Sequence, residues 1–169
     1  MQLTDDQIAF REGMSRMGAA VNLITTDGPA GKHGLIASAV CSVTDAPPTL
    51  LVCINRKAFV HDRFLNNFHV CVNVLAAQHQ DLCNTFARYI KGVDRWAQGS
   101  WITKETGCPV LEDANVAFDC RIGSLIEQGS HSVMFCEVKA VHLGTIVRPG
   151  LVYFSRDFHH LHAPSDSAA

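Results

Sequence analysis

Two long alternating segments flank a single glycine, and they constrain the fold more than anything else in the chain. In the first, Phe118, Cys120, Ile122 and Ser124 alternate with Ala117, Asp119 and Arg121. In the second, Met134, Cys136, Val138 and Ala140 alternate with Phe135, Glu137 and Lys139. Successive side chains of a strand point to opposite faces, so a period of two predicts a half-buried antiparallel pair. Gln128-Gly129-Ser130 supplies the hairpin turn between them. Shorter strands are predicted over 20–26, over the small-residue run 34–43, over 50–55 and 70–75, and over 151–154 as the last strand. Pro47-Pro48 separates the second of these from the third.

Three helices are predicted, over 4–17, 59–67 and 78–88. In the first, Thr4 and Gln7 have capping-box spacing, and Phe10, Met14 and Met17 fall on one apolar face before Gly18. In the third, Leu82, Thr85 and Phe86 face inward. The stretch 89–109 contains Gly92, Gly99 and Gly107 and no clear period, so it reads as loop with a helical turn and one short strand. The helices do not alternate regularly with the strands, which excludes a doubly wound parallel sheet. The class that fits is mainly β with a few helices, built as an antiparallel barrel. At 169 residues the chain suits one domain, 1–162, with the small polar residues 163–169 as a flexible tail.

Charge and cysteine usage exclude several functions. Fourteen Lys and Arg stand against sixteen Asp and Glu, with no basic stripe, so neither nucleic acid nor an anionic membrane surface is an expected partner. The opening residues, with Asp5 and Asp6, do not read as a secretory signal, and no apolar run approaches the roughly 20 residues of a membrane span. Seven cysteines, at 41, 53, 71, 83, 108, 120 and 136, form no Cys-x-x-Cys pair. An odd count without that spacing speaks against a disulfide framework or a zinc site, and predicts free thiols in a reducing cytoplasm. His131 follows the hairpin turn, and His159, His160 and His162 cluster near the end, but no ligand pattern accompanies them and no metal is expected. Nucleophile-elbow, Walker and dinucleotide-fingerprint motifs are absent. Cys83 is the one cysteine on a helix beside a strand end, and nothing marks it as activated.

The run from Ile36 to Thr44 has no bulky polar side chain. Such a strand either packs a tight interior or leaves space for a flat ligand against the backbone. Lys57, directly after Asn55-Arg56, is either a solvated loop charge or a phosphate partner.

The ordered segments 17–26 (MGAAVNLITT), 34–44 (GLIASAVCSVT), 47–55 (PPTLLVCIN), 71–75 (CVNVL), 107–111 (GCPVL) and 150–154 (GLVYF) followed by Phe158-His159 span nearly the whole chain. Together they resemble the short flavin reductase family, which supplies reduced flavin to two-component monooxygenases. Its nearest branches serve an aromatic hydroxylase or a pyrimidine-utilisation oxygenase. The resemblance implies a Greek-key split β-barrel, a homodimer, FMN or FAD as flavin, NADH as reductant, and a separate oxygenase that receives the reduced flavin. It implies a ring site on Ile36, Ala37, Ser38, Ala39 and Val40, with Ser42 and Val43 beyond it. Cys53, Ile54, Asn55, Lys57 and Ala58 would carry the ribityl and phosphate part, and Phe86 and Ala87 a further contact. His131 is the expected catalytic residue, orienting the nicotinamide carboxamide, and Ser155, Arg156 and His159 would face the dinucleotide. The family often has Thr where this chain has Ile36, which removes one hydroxyl and leaves backbone contacts. A flavin- or haem-binding split barrel without turnover is the competing reading.

Overall fold

The computed structural model describes residues 3–88 and 93–163. The expected tail lies outside these residues except for Ala163, as do positions 89–92 of the expected loop. Helix α1 (Asp5–Ser15) begins with the capping box read from sequence: Gln7 N donates to Thr4 Oγ1 at 3.3 Å, and Thr4 N donates to Gln7 Oε1 at 3.1 Å. None of its residues is buried; Phe10 and Met14 lie open on its apolar side, and Met17, placed in the helix by its spacing, is exposed just beyond the helix end.

The predicted first strand is two strands in different sheets. β1 (Ala19–Ala20) and β2 (Asn22–Thr26) are divided at Val21, which bonds to Leu151 on one side and Leu75 on the other. The predicted strand 34–43 also divides, into β3 (His33–Ala37) and β4 (Val40–Asp45), because the chain crosses between sheet edges at Ser38-Ala39. Then come β5 (Pro48–Asn55), α2 (His61–Asn67), β6 (His69–Val74) and α3 (Gln80–Ala87). β7 (Trp101–Thr103) and β8 (Pro109–Leu111) form a small pair. The long hairpin is β9 (Val116–Gln128) and β10 (His131–Leu143), turning at Gly129 with φ 56°. β11 (Gly150–Phe154) is followed by β12 (Asp157–Leu161), a strand the sequence reading missed. Its Asp-Phe-His-His-Leu sequence is mostly exposed at a sheet edge and carries no apolar alternation.

Every described strand pair is antiparallel. The main sheet runs β3-β2-β6-β9-β10-β5-β4, and a smaller one runs β1-β11-β12. β3 and β4 are opposite edges of the main sheet, yet only Ser38 and Ala39 join them. Three residue steps reach about 10 Å at most, so the sheet must curl until its edges approach each other. Inside the curl lie Ile24, Val52, Phe64, Val70, Val72 and Met134, all at most 1% exposed. A second cluster, with Leu23, Leu75, Leu82, Phe86 and Leu151, fastens α3 and the smaller sheet to the main one.

Cys71, Cys83, Cys108, Cys120 and Cys136 are buried thiols that pack as small apolar groups. Desolvation pushes the Cys83 thiol up to about 11 and the Cys136 thiol up to about 12. Neither has the thiolate character of a nucleophile. Thr85 is only half-buried, and Cys83 takes the third inward position of α3 beside Leu82 and Phe86.

Asn73 is fully buried and ties three elements together. Its Nδ2 donates to Leu23 O at 3.0 Å and to Thr25 Oγ1 at 3.2 Å, while its Oδ1 accepts from Leu111 N at 2.7 Å. An amide fits here because β2, β6 and β8 each leave a polar group facing the same interior point.

Candidate functional site

The crossing at Ser38-Ala39 lies where three cavities meet. Their volumes are about 480, 700 and 810 Å³, and Ser38 lines all of them. Small side chains keep this floor low, and both residues are exposed. Among the described residues, neither the Ser38 nor the Ala39 N–H has a hydrogen-bond acceptor. Both N–H groups thus belong to an exposed segment of small side chains that a planar molecule can approach closely.

The 480 Å³ cavity has the Ile36–Ala39 segment as floor and two different ends. One end is Phe86 and Ala87 on α3. Gly34 makes the Phe86 position possible: a Cβ there would lie 2.9 Å from Phe86 Cε1. Phe86 in turn packs edge-on against Trp96 at 5.0 Å, and Lys32 and Arg95 sit over the faces of Trp96 and Phe86. The other end is polar and comprises Cys53, Ile54, Asn55, Ala58 and His131. Asn55 and His131 are direct partners across β5 and β10. Asn55 Oδ1 accepts from Lys57 N at 2.9 Å, and Ala58 N donates to Asn55 O at 2.9 Å, so the turn after β5 is tightly wound. His131 Nδ1 lies 2.9 Å from Ser130 Oγ.

The 700 Å³ cavity is bounded by Ile36–Ser38, by Tyr153 and Phe158, and by Asn84, Ala87 and Arg88 of α3 and its end. The 810 Å³ cavity runs from Ser38, Ala39, Val40 and Cys53 to the C-terminal end of α1 and Arg156. Ser155 and Arg156 form the two-residue turn between β11 and β12, with φ of 51° and 64°. Two successive positive φ values are the geometry that suits the twist of a tight hairpin. The turn is held by α1: Ser155 N donates to Ser15 O at 2.6 Å, and Arg156 pairs with Glu12 at 2.8 Å. Arg156 first, and then Arg16, holds the Glu12 carboxyl below its usual range.

The structure thus brings Ile36, Ala37, Ser38, Ala39, Cys53, Ile54, Asn55, Ala58, Phe86, Ala87 and His131 to one cavity. Val40 and Arg156 line the adjoining one. Ser42 and Val43 are exposed further along β4, and Lys57 is exposed in the turn; none of the three lines these cavities. Ser155 is engaged with α1, and His159 Nε2 lies 3.1 Å from Phe154 O, outside the cavity walls. Sequence reasoning missed Asn84 and Arg88. Asn84 lies one turn before Ala87 on α3, and Arg88 is the extended residue that ends the helix; helix periodicity identifies a buried stripe and not the cavity that polar residues at the helix end border.

Residues 14–162 match the model of the flavin reductase like domain family. Over 160 residues the chain is 52% identical to the FMN reductase (NADH) RutF of Escherichia coli K12, covering 95% of this chain and 97% of that one. Among solved structures, the NADH:FAD oxidoreductase SgcE6 of Streptomyces globisporus superposes with a TM-score of 0.85 at 27% identity, covering 97% of this chain and 99% of that one. SgcE6 has also been solved in complex with NAD and FAD fragments, at a TM-score of 0.84 and 25% identity, with both chains covered in full. BorF, the flavin reductase component of a bacterial two-component tryptophan halogenase, superposes with a TM-score of 0.84 at 26% identity, covering 93% of this chain and 99% of that one. A family model that matches residues 14–162, and relatives aligned nearly end to end, lead to one assignment: the chain belongs to the flavin reductase like domain family.

Proposed function

We propose that the chain is an NADH-dependent flavin reductase that passes reduced flavin, FMN or FAD, to a separate oxygenase component. The observation that carries this reading is the exposed Ser38-Ala39 floor, whose two N–H groups have no acceptor among the described residues. A flat heteroaromatic ring with carbonyl and ring-nitrogen acceptors fits such a floor, and bulkier side chains would not permit it. When bound, the flavin accepts the hydride that NADH gives up, and the redox chemistry is its own. The residues of this chain supply geometry. Ile36 to Val40 hold the ring flat, and Phe86 with Ala87 closes one end. Asn55, Ala58 and Cys53 border the polar end, from which Lys57 extends as the phosphate partner, while Ser42 and Val43 continue the floor strand. His131 orients the carboxamide of the dinucleotide, and Arg156, with Ser155 and His159 near it, meets its polar parts. Aligning two rings face to face is the main catalytic contribution expected of such a site.

We further infer that the curled main sheet is a split Greek-key β-barrel forming one domain over 1–162. We also infer that the enzyme works as a homodimer in the cytoplasm, in keeping with seven free thiols. Among the described residues no helix is long and apolar enough to cross a membrane.

The test is NADH consumption by the purified protein with and without FMN or FAD. Saturable oxidation that depends on added flavin is expected. Flavin binding without NADH consumption would instead make the protein a carrier. His131→Ala should raise KM for NADH roughly five- to tenfold with kcat less affected, as loss of a binding contact does. An unchanged KM for NADH would remove His131 from the dinucleotide site.

A further inference from the structure

His61, Ser132 and Asp62 are arranged like a hydrolytic relay, but burial excludes that use. His61 Nε2 lies 2.9 Å from Ser132 Oγ, and His61 Nδ1 lies 2.8 Å from Asp62 Oδ1. Ser132 is 0% exposed, so no substrate reaches its hydroxyl. With the Asp62 carboxylate accepting from Nδ1–H, Nε2 is left as the acceptor for the Ser132 hydroxyl. The contact is a fixed, oriented bridge between the start of α2 and the start of β10.

That bridge closes a ring around the polar end of the cleft. From Ser132 the chain runs back through His131 to Ser130, whose carbonyl accepts from Arg56 N at 2.9 Å. From Arg56 it runs through Lys57 to Ala58, whose carbonyl accepts from His61 N at 2.9 Å. The His61 ring then returns to Ser132. Arg56 adds an ion pair to Glu127 of β9 at 3.0 Å. His131 and Ala58, which border the cavity, and Lys57 are all members of the ring, and Asn55 is bonded to it from inside.

We propose that His61 is a positioning residue that, through Ser132 and Ala58, fixes the turn 55–58 against His131 and so sets the grip on the phosphate-bearing end of the flavin. The inference rests on the flavin reductase reading above. Neither His61 nor Ser132 touches the cavity, so their effect is transmitted through the turn.

The test compares FMN with riboflavin, which lacks the phosphate, by fluorescence titration of the full chain. Ser132→Ala and His61→Leu break the same contact from its two sides. Each should weaken FMN binding about tenfold and riboflavin binding less than about twofold, with KM for FMN rising in parallel and kcat little changed. Should one variant fail to fold in a thermal melt, the other carries the same comparison. Native FMN affinity in a folded variant would overturn the proposal. Equal weakening of FMN and riboflavin would overturn it too, because a general loosening of the fold does not distinguish a phosphate. If the unaltered chain binds neither flavin, the reductase reading itself fails and this inference falls with it; a chain that binds both flavins, with variants that bind equally well, sinks only the positioning role.

Discussion

Ser38→Leu should reduce flavin-stimulated NADH oxidation at least about 100-fold, a loss of roughly 2.7 kcal/mol in binding the flavin, while the fold survives. Ser38 lines all three cavities and stands outside the strands that pair on either side of it. A leucine side chain there rises from the floor into the space a ring would occupy, and a steric block of this kind works against the ligand alone. The position is exposed, so stability should change by no more than about 0.5 kcal/mol. Ser38→Ala is the control and should retain most of the activity, because backbone N–H groups are the proposed donors there. Flavin titration together with a melting curve separates the two effects. A leucine variant with near-native flavin binding would show that the ring lies elsewhere.

Asn73→Ala should do the opposite, costing stability without touching the cleft. Removing the amide leaves Leu111 N–H and Leu23 O without their side-chain partner in a fully buried setting. Each unsatisfied group costs about 1–3 kcal/mol, so a total near 3 kcal/mol is expected. Urea unfolding followed by circular dichroism would show it as a lower midpoint with an unchanged slope. Thr25 Oγ1 keeps its bond to Pro109 O at 2.5 Å, so β2 and β8 stay linked and the loss is confined to the contacts of β2, β6 and β8 around position 73. A loss below about 1 kcal/mol would mean that water or a shifted backbone satisfies the freed groups.

The parts of the fold that were legible in sequence are those in which periodicity and burial agree. The β10 strand and the Gly129 turn are the clearest case, with Met134 and Cys136 buried and the intervening side chains more exposed. In β9 the alternation fails, because Ala117 and Asp119 are buried as well as Cys120, Asp119 accepting from Thr106. The break at Ser38-Ala39 was not legible, because a run of Ala, Ser, Val and Cys has no polar punctuation to mark where one strand ends. β12 escaped because an exposed edge strand needs no apolar alternation. The face of α1 shows a different limit: Phe10, Met14 and Met17 have helical spacing, but spacing does not say whether anything covers them. In the site, the floor residues were readable from their small size together with the family resemblance. Asn84 and Arg88 were not, because their place depends on how α3 lies against β3.

β3 and β4 adjoin in sequence but end the sheet on opposite sides, so the segment between them has its native surroundings only when the five intervening strands are in place. Those pairings are distant along the chain; β6 with β9 and β10 with β5 are examples. A topology of that kind has high contact order, and its closing contacts carry a large chain-entropy cost. A partly assembled chain therefore has no intact floor and no reduced version of the site. Any molecule that recognises the floor binds the native state and not its precursors. By thermodynamic linkage, its binding free energy then adds to the cooperative unfolding of the whole sheet rather than to one loop.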